Sequence, residues 1–187
     1  MNNDIWNNLF PSSDISTLIF MLFVFFISGI VKGFLGIGLP AAAMALLTLV
    51  IPPAHAISLL VIPILFTNLT QFSRAKHRME AVKTYWPFAI AIIISIFLTS
   101  LFLSKYPTGL LTISIGFAMI IVSLNGLIGV TVKLSDSRIW QLGFGVLSGV
   151  LGGLSSIWSP TVAIYLIARR VDKDLFISAT GFLFLAG

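Results

Sequence analysis

The sequence contains no cysteine, so disulfides, thiolate nucleophiles and Cys-ligated metals are excluded. Charge is also scarce. Only 9% of the 187 residues are Asp, Glu, Lys or Arg, against roughly 25% in a soluble globular protein. The six carboxylates are Asp4, Asp14, Glu80, Asp136, Asp172 and Asp174, and each falls between apolar stretches. That pattern speaks against a carboxylate proton relay, a glycosidase pair or a metal cage. No Lys or Arg precedes Lys32, so the N-terminus lacks the positive region of a cleavable signal. What fills the chain instead is apolar: 58% hydrophobic residues and a mean hydropathy of +1.07. This composition excludes a soluble enzyme, a nucleic-acid module and a disordered chain. It leaves an all-α, polytopic transmembrane helical bundle. The isoelectric point near 9.9 reflects basic residues gathered in loops, as membrane orientation requires.

Stretches free of Asp, Glu, Lys and Arg locate the spans, since a crossing helix needs about 20 apolar residues. They are Ile15–Val31, Gly33–Ser73, Thr84–Ser104, Tyr106–Val132, Ile139–Ala168 and Leu175–Gly187. The second holds 41 residues. As one helix it would be roughly 60 Å long, about twice the hydrocarbon core. It must therefore break, and two breaks are visible: Gly33 to Pro40, and Pro52-Pro53, where proline ends a helix. Helices are expected from Ser16 to Leu35, Leu39 to Ile51 and Ala54 to Phe72. The run Ile139–Ala168 breaks in the same manner between Gly149 and Pro160, with a short helix from Pro160 to Ala168. Residues 1–15 read as a polar lead-in, with Trp6 and Phe10 suited to the membrane interface. The apolar end at Leu175–Gly187 is too short to span and reads as a cut inside a helix.

Basic residues orient the spans. Arg74–Lys83 carries Arg74, Lys76, Arg78 and Lys83 against Glu80, and Arg169–Asp174 carries Arg169, Arg170 and Lys173. Both belong inside, with Lys133–Arg138, while Ser104–Thr108 belongs outside. The first half, residues 16–132, is then a broken hairpin plus three spans. The second, residues 133–187, is a broken hairpin plus the start of another span, in the opposite orientation. Gly33 and Gly36 match Gly149 and Gly152, and Pro40 matches Pro160 if the second copy carries four extra residues. Inverted repeats with broken helices mark secondary transporters.

These features together resemble the TauE/SafE family, associated with export of sulfite and organosulfonates. The stretches that carry the resemblance are Gly29–Pro40, Pro52-Pro53-Ala54-His55-Ala56, Arg74–Lys83, Gly149–Pro160 and Asp172-Lys173-Asp174. The resemblance implies a permease of the cell inner or plasma membrane. It implies no enzyme and no cofactor.

The breaks are the expected site. Proline suits the first turn of a helix, whose N–H groups have no partner within it. Helix starts near Pro40 and Pro160 would present N–H groups and partial positive charge to an anion. Gly36, Gly38, Pro40, Thr67, Asn68, Gln71, Ser155, Ser156, Trp158, Ser159, Pro160 and Thr180 are the expected binding residues. Gly33, Gly149, Gly152 and Gly153 are the expected break residues. Such a pocket, lined by hydroxyls and amides, suits a small anion, with a proton or sodium as coupling ion, carried by alternating access. The three serines are expected to outweigh Lys32, which is read as snorkelling to the inner surface. His55 is read as interfacial. Besides the bilayer and the anion no partner is expected, nucleic acid included. The rival reading is a membrane-embedded enzyme or assembly subunit with its reactive residues beyond Gly187.

Overall fold

The computed structural model describes residues 15–102, 105–128, 134, 135 and 137–187. The polar lead-in with Trp6 and Phe10, and Ser104, Lys133 and Asp136 in the expected loops, lie outside the described residues.

The described residues form eight helices and no strand: α1 (Ile15–Leu35), α2 (Leu39–Leu47), α3 (Pro53–Arg74), α4 (Arg78–Ser100), α5 (Thr108–Ile128), α6 (Arg138–Ser155), α7 (Ser159–Ala168) and α8 (Lys173–Ala186). Among them, α1, α3 and α4 are long and apolar enough to cross a membrane. The surface fits that solvent. Leu22, Phe26, Phe34, Leu65 and Phe97 all stand exposed on these helices, a density of apolar surface that water would not tolerate on a monomer. Inside, Met44, Leu60, Phe88, Ile92 and Leu183 are fully buried. Tyr165 of α7 stacks edge-on against Tyr85 and Phe88 of α4.

Two boundaries differ from the sequence reading. α2 ends at Leu47, and residues 48–51 turn, with the Val50 and Ile51 N–H groups both donating to the Leu47 carbonyl. α4 begins at Arg78, six residues before the apolar run, and α3 reaches Arg74, so only residues 75–77 of the basic segment lie outside a helix. Polar residues can extend a spanning helix past the hydrocarbon at little cost, which the charge-free run alone does not show.

The basic segments collect at one end. Lys76 Nζ donates to Asp174 Oδ2 at 2.9 Å, and the His77 N–H donates to Ser178 Oγ at 3.2 Å. The bond from Lys76 holds the Asp174 carboxyl below the usual carboxylate range. Leu134 N–H donates to the Ala168 carbonyl at 3.3 Å, which brings the third basic loop to the same end. α4 has 23 residues, so Ser100 lies roughly 35 Å away at the opposite end.

The glycines of α6 lie inside a helix. α6 runs through Gly149, Gly152 and Gly153 and ends at Ser155. Gly145, Gly149 and Gly153 recur every four residues, one above another on a single face. That face lies directly on α4. A Cβ at Gly145 would sit 2.6 Å from Ala91 Cβ, and one at Gly149 would sit 2.5 Å from Ser95 Cβ. Small residues that let helix backbones approach are how membrane helices associate.

The two broken units share one register. α1 ends at 35 and α6 at 155. Gly36 (φ 71°) and Ser156 (φ 56°) are both left-handed. α2 starts at 39 and α7 at 159; α3 starts at 53 and α8 at 173. Each pair is 120 residues apart. The matching glycines are therefore Gly29 with Gly149 and Gly33 with Gly153. The sequence pairing of Pro40 with Pro160 keeps this register, whereas the pairing of Gly33 and Gly36 with Gly149 and Gly152, which needed four extra residues, is off by one helical turn. Glycines spaced in fours align equally well after such a slip, which is why residue identity misled it.

Candidate functional site

Three spaces lie in a row through the bundle. At the basic end is an open vestibule of about 620 Å³, lined by residues that include Lys32, Gly33, Gly36, Thr67, Thr70, Gln71, Arg74 and Lys173. Below it is a closed cavity of about 10 Å³, lined by Lys32, Leu39, Pro40, Ile64, Thr67, Asn68, Trp158, Ser159 and Phe184. That volume holds one water at most. Toward the other end is an apolar recess of about 330 Å³ that includes Ile57, Val61, Ser100, Gly152 and Ser156. Lys32 and Thr67 border both vestibule and cavity, whereas Ile64, Trp158 and Phe184 border both cavity and recess.

The cavity is where the two broken units meet. Gly36 and Gly38 turn the chain with φ of 71° and 94°, which glycine adopts without strain. α2 can then begin at Leu39 with Pro40 in its first turn. In the second unit Ser156 makes the left-handed turn, and α7 begins at Ser159 with Pro160 second. The first turns of both short helices therefore face one small space. Across it stands α3, with Pro63 in its interior. Thr67 Oγ1 donates to the Pro63 carbonyl at 2.8 Å.

Lys32 is the residue that the sequence reading placed elsewhere. It does not snorkel to the surface. Its side chain is 8% exposed, donates to Asn68 Oδ1, and stands 5.5 Å from the centre of the Phe184 ring. Asn68 in turn donates from Nδ2 to the Phe184 carbonyl at 2.8 Å, which ties α3 to α8. An amide acceptor, a ring face and an adjoining vestibule give the ammonium an alternative to the membrane surface. A signal for this was present, since Lys32 is the lone charge between two long apolar runs, and intramembrane charges are functional by default. Phe184 carried no such signal. Its place follows from how α8 packs on α3.

The expected binding residues distribute as follows. Pro40, Thr67, Asn68, Trp158 and Ser159 border the cavity, Gly36 and Gln71 the vestibule, and Ser156 the recess. Gly38 lies outside all three as the N-cap of α2, and Pro160 is buried in the first turn of α7. Thr180 sits behind the vestibule wall and accepts from Gln71 Nε2 at 2.9 Å. Ser155 is spent locally: its Oγ donates to the Leu151 carbonyl at 2.6 Å and accepts from the Ile157 N–H at 3.1 Å. Of the expected break residues, Gly33 borders the vestibule inside α1. Gly149 and Gly153 lie against α4. Gly152 lies under Trp158, whose Cβ is 3.1 Å from where its own would be. The breaks themselves are at 36–38 and 156–158.

A buried ammonium, two helix starts, a hydroxyl and an amide, with no carboxylate among the described lining residues, make a site that attracts negative charge.

Broken helices converging inside an apolar bundle define an α-helical, multi-pass integral membrane protein. The chain belongs to the sulfite exporter TauE/SafE family, whose model matches residues 21–187. That is a family of sulfite and anion exporter-type transporters. No curated protein and no solved structure matches the chain.

Proposed function

We propose that the protein carries a small sulfur oxyanion, sulfite or an organosulfonate, across the membrane by alternating access. The observation that carries this reading is the burial of Lys32 between the vestibule and the cavity where α2 and α7 begin. Arg74 and Lys173 at the vestibule draw anions toward it. The cavity is too small for an oxyanion in this conformation, so entry requires the walls to part. Ile64, Trp158 and Phe184 form the barrier toward the recess, and the cycle would close the vestibule as this barrier opens.

The two broken units supply the moving parts in this reading. α1 ends beside Arg74 and Lys173, whereas α6 ends beside Thr99 and Ser100 at the far end of α4. Their opposite directions and common 120-residue register support an inverted repeat, the arrangement that permits rocking around a fixed site. The basic end faces the cytoplasm in this scheme.

Flux into proteoliposomes tests it. Sulfite, sulfoacetate, sulfate and acetate are compared with and without imposed proton and sodium gradients. Saturable uptake of a sulfur oxyanion, lost in Lys32→Gln, is the expected result. Flux of every anion at the level of protein-free vesicles would remove the proposal.

A further inference from the structure

Lys32 is a whole positive charge that no carboxylate answers among the described residues. The described carboxylates are all engaged elsewhere. Glu80 lies 3.0 Å from His77, Asp174 bonds Lys76, and Asp172 caps α8 by accepting from the N–H groups of Asp174 and Leu175. Around the ammonium stand the Asn68 amide oxygen and the Phe184 ring, a dipole and a quadrupole. Neither neutralises a charge, and an uncompensated ion away from water is unfavourable. The starts of α2 and α7 contribute partial charges, reduced because Pro40 and Pro160 each remove an N–H from a first turn.

We infer that Lys32 is the counter-ion of the transported species, that Asn68 holds it while the site is empty, and that the site accepts one negative charge. The substrate is then a monoanion, a sulfonate or hydrogen sulfite, and a dianion is rejected. This rests on the anion-transporter reading above. A monoanion replaces the Asn68 oxygen at the ammonium and leaves the cavity close to neutral. A dianion brings a second charge into the same low-dielectric space with no whole charge to meet it. Sulfite itself would enter as its singly protonated form.

The test uses two probes of similar shape and different valence, methanesulfonate and sulfate, with two variants. Asn68→Asp keeps the side chain's size and sets a carboxylate against Lys32, a permanent occupant of the counter-ion position. Lys32→Gln removes the charge. Uptake into proteoliposomes is measured at pH 7, together with the shift in melting temperature that each probe causes in purified protein. The wild type should take up methanesulfonate at least about tenfold faster than sulfate. Methanesulfonate should also raise its melting temperature. Asn68→Asp exchanges its bond to the Phe184 carbonyl for an ion pair with Lys32; it should still fold with a cooperative melt yet lose uptake about tenfold or more, together with the methanesulfonate shift, as should Lys32→Gln. Equal uptake of both probes, or an Asn68→Asp protein that transports normally, would overturn this inference and leave the anion-transporter reading standing. Uptake of no anion would overturn both.

Discussion

Alanine at Gly149 is the smallest perturbation that tests how α4 and α6 are held together. A Cβ there would stand 2.5 Å from Ser95 Cβ and 2.8 Å from the Ile92 carbonyl oxygen. Non-bonded heavy atoms prefer about 3.5–4.0 Å, so the helices would have to separate by roughly 1 Å. Neither can turn aside, because a Cβ is fixed by its own backbone and a helical carbonyl by the helix. The separation would also loosen contacts one turn to either side, at Gly145 and Gly153, where added Cβ atoms would lie 2.6 Å from Ala91 Cβ and 1.7 Å from Thr99 Oγ1. Overpacking of this kind costs about 1–3 kcal/mol. Alanine's better helix propensity offsets up to about 1 kcal/mol of that. The steric effect wins, because two helices in lipid have no hydrophobic force to press them back together. A net loss of about 1–2 kcal/mol is expected.

Gly33→Ala is the matched control. Gly33 holds the position in α1 equivalent to Gly153, one turn along the same glycine face from the equivalent of Gly149, yet a Cβ there meets nothing within 4 Å. Only the propensity gain remains, so this variant should be as stable as wild type or slightly more so. Melting in detergent, followed by tryptophan fluorescence, reads both. A Gly149→Ala protein that melts with the wild type, or a Gly33→Ala protein that loses as much, would refute the close approach as what holds these helices.

Other outcomes follow from individual contacts. Single cysteines at positions 78 and 173, placed in this naturally cysteine-free chain, should both be labelled only from the cytoplasmic side; labelling of either from outside inverts the scheme. Asp172→Ala should lower stability by about 1 kcal/mol, because it removes the cap of α8, and an unchanged melting curve would show that the cap is idle. Ser156→Gly should raise stability and Gly36→Ser should lower it, each by about 1 kcal/mol, since both positions hold a left-handed backbone; a shared sign in the melting temperatures would contradict that geometry. Ser155→Ala should lower the melting temperature without changing anion affinity, because both bonds of its hydroxyl stay within its own break; a weaker titration with methanesulfonate would return it to the site.

The helices were legible because charge-free length and proline position are local signals. Pro40 and Pro160 each fall second in a short helix, and Pro53 opens α3. The cavity was legible in part for the same reason: chain breaks mark where backbone leaves the helix, and in lipid such backbone must be enclosed. Which side chain does what was not legible. Ser155 and Ser159 look alike in sequence, but one closes on its own helix end and the other borders the cavity. Gly33 and Gly153 occupy equivalent positions, but one borders open space and the other lies under Thr99. These differences arise from which neighbour the fold brings up, and no periodicity encodes that.

Lys32 shows where the symmetry of the two units stops. The position 120 residues after it is Gly152, where a Cβ would already meet the Trp158 side chain at 3.1 Å. The second unit repeats the end of the long helix, the left-handed turn and the proline, but not the cation. A repeat that supplied a lysine from each half would place two like charges beside one small cavity, and with no carboxylate to separate them one would be expelled or neutralised. Having the lysine in one unit only, with Trp158 filling the equivalent region of the other, leaves one ammonium facing two helix starts. Backbone geometry is thus shared between the halves, because both must open a helix toward the same centre. The buried cation belongs to one half only, and under the counter-ion proposal it is this asymmetry that sets the valence of what the centre can hold.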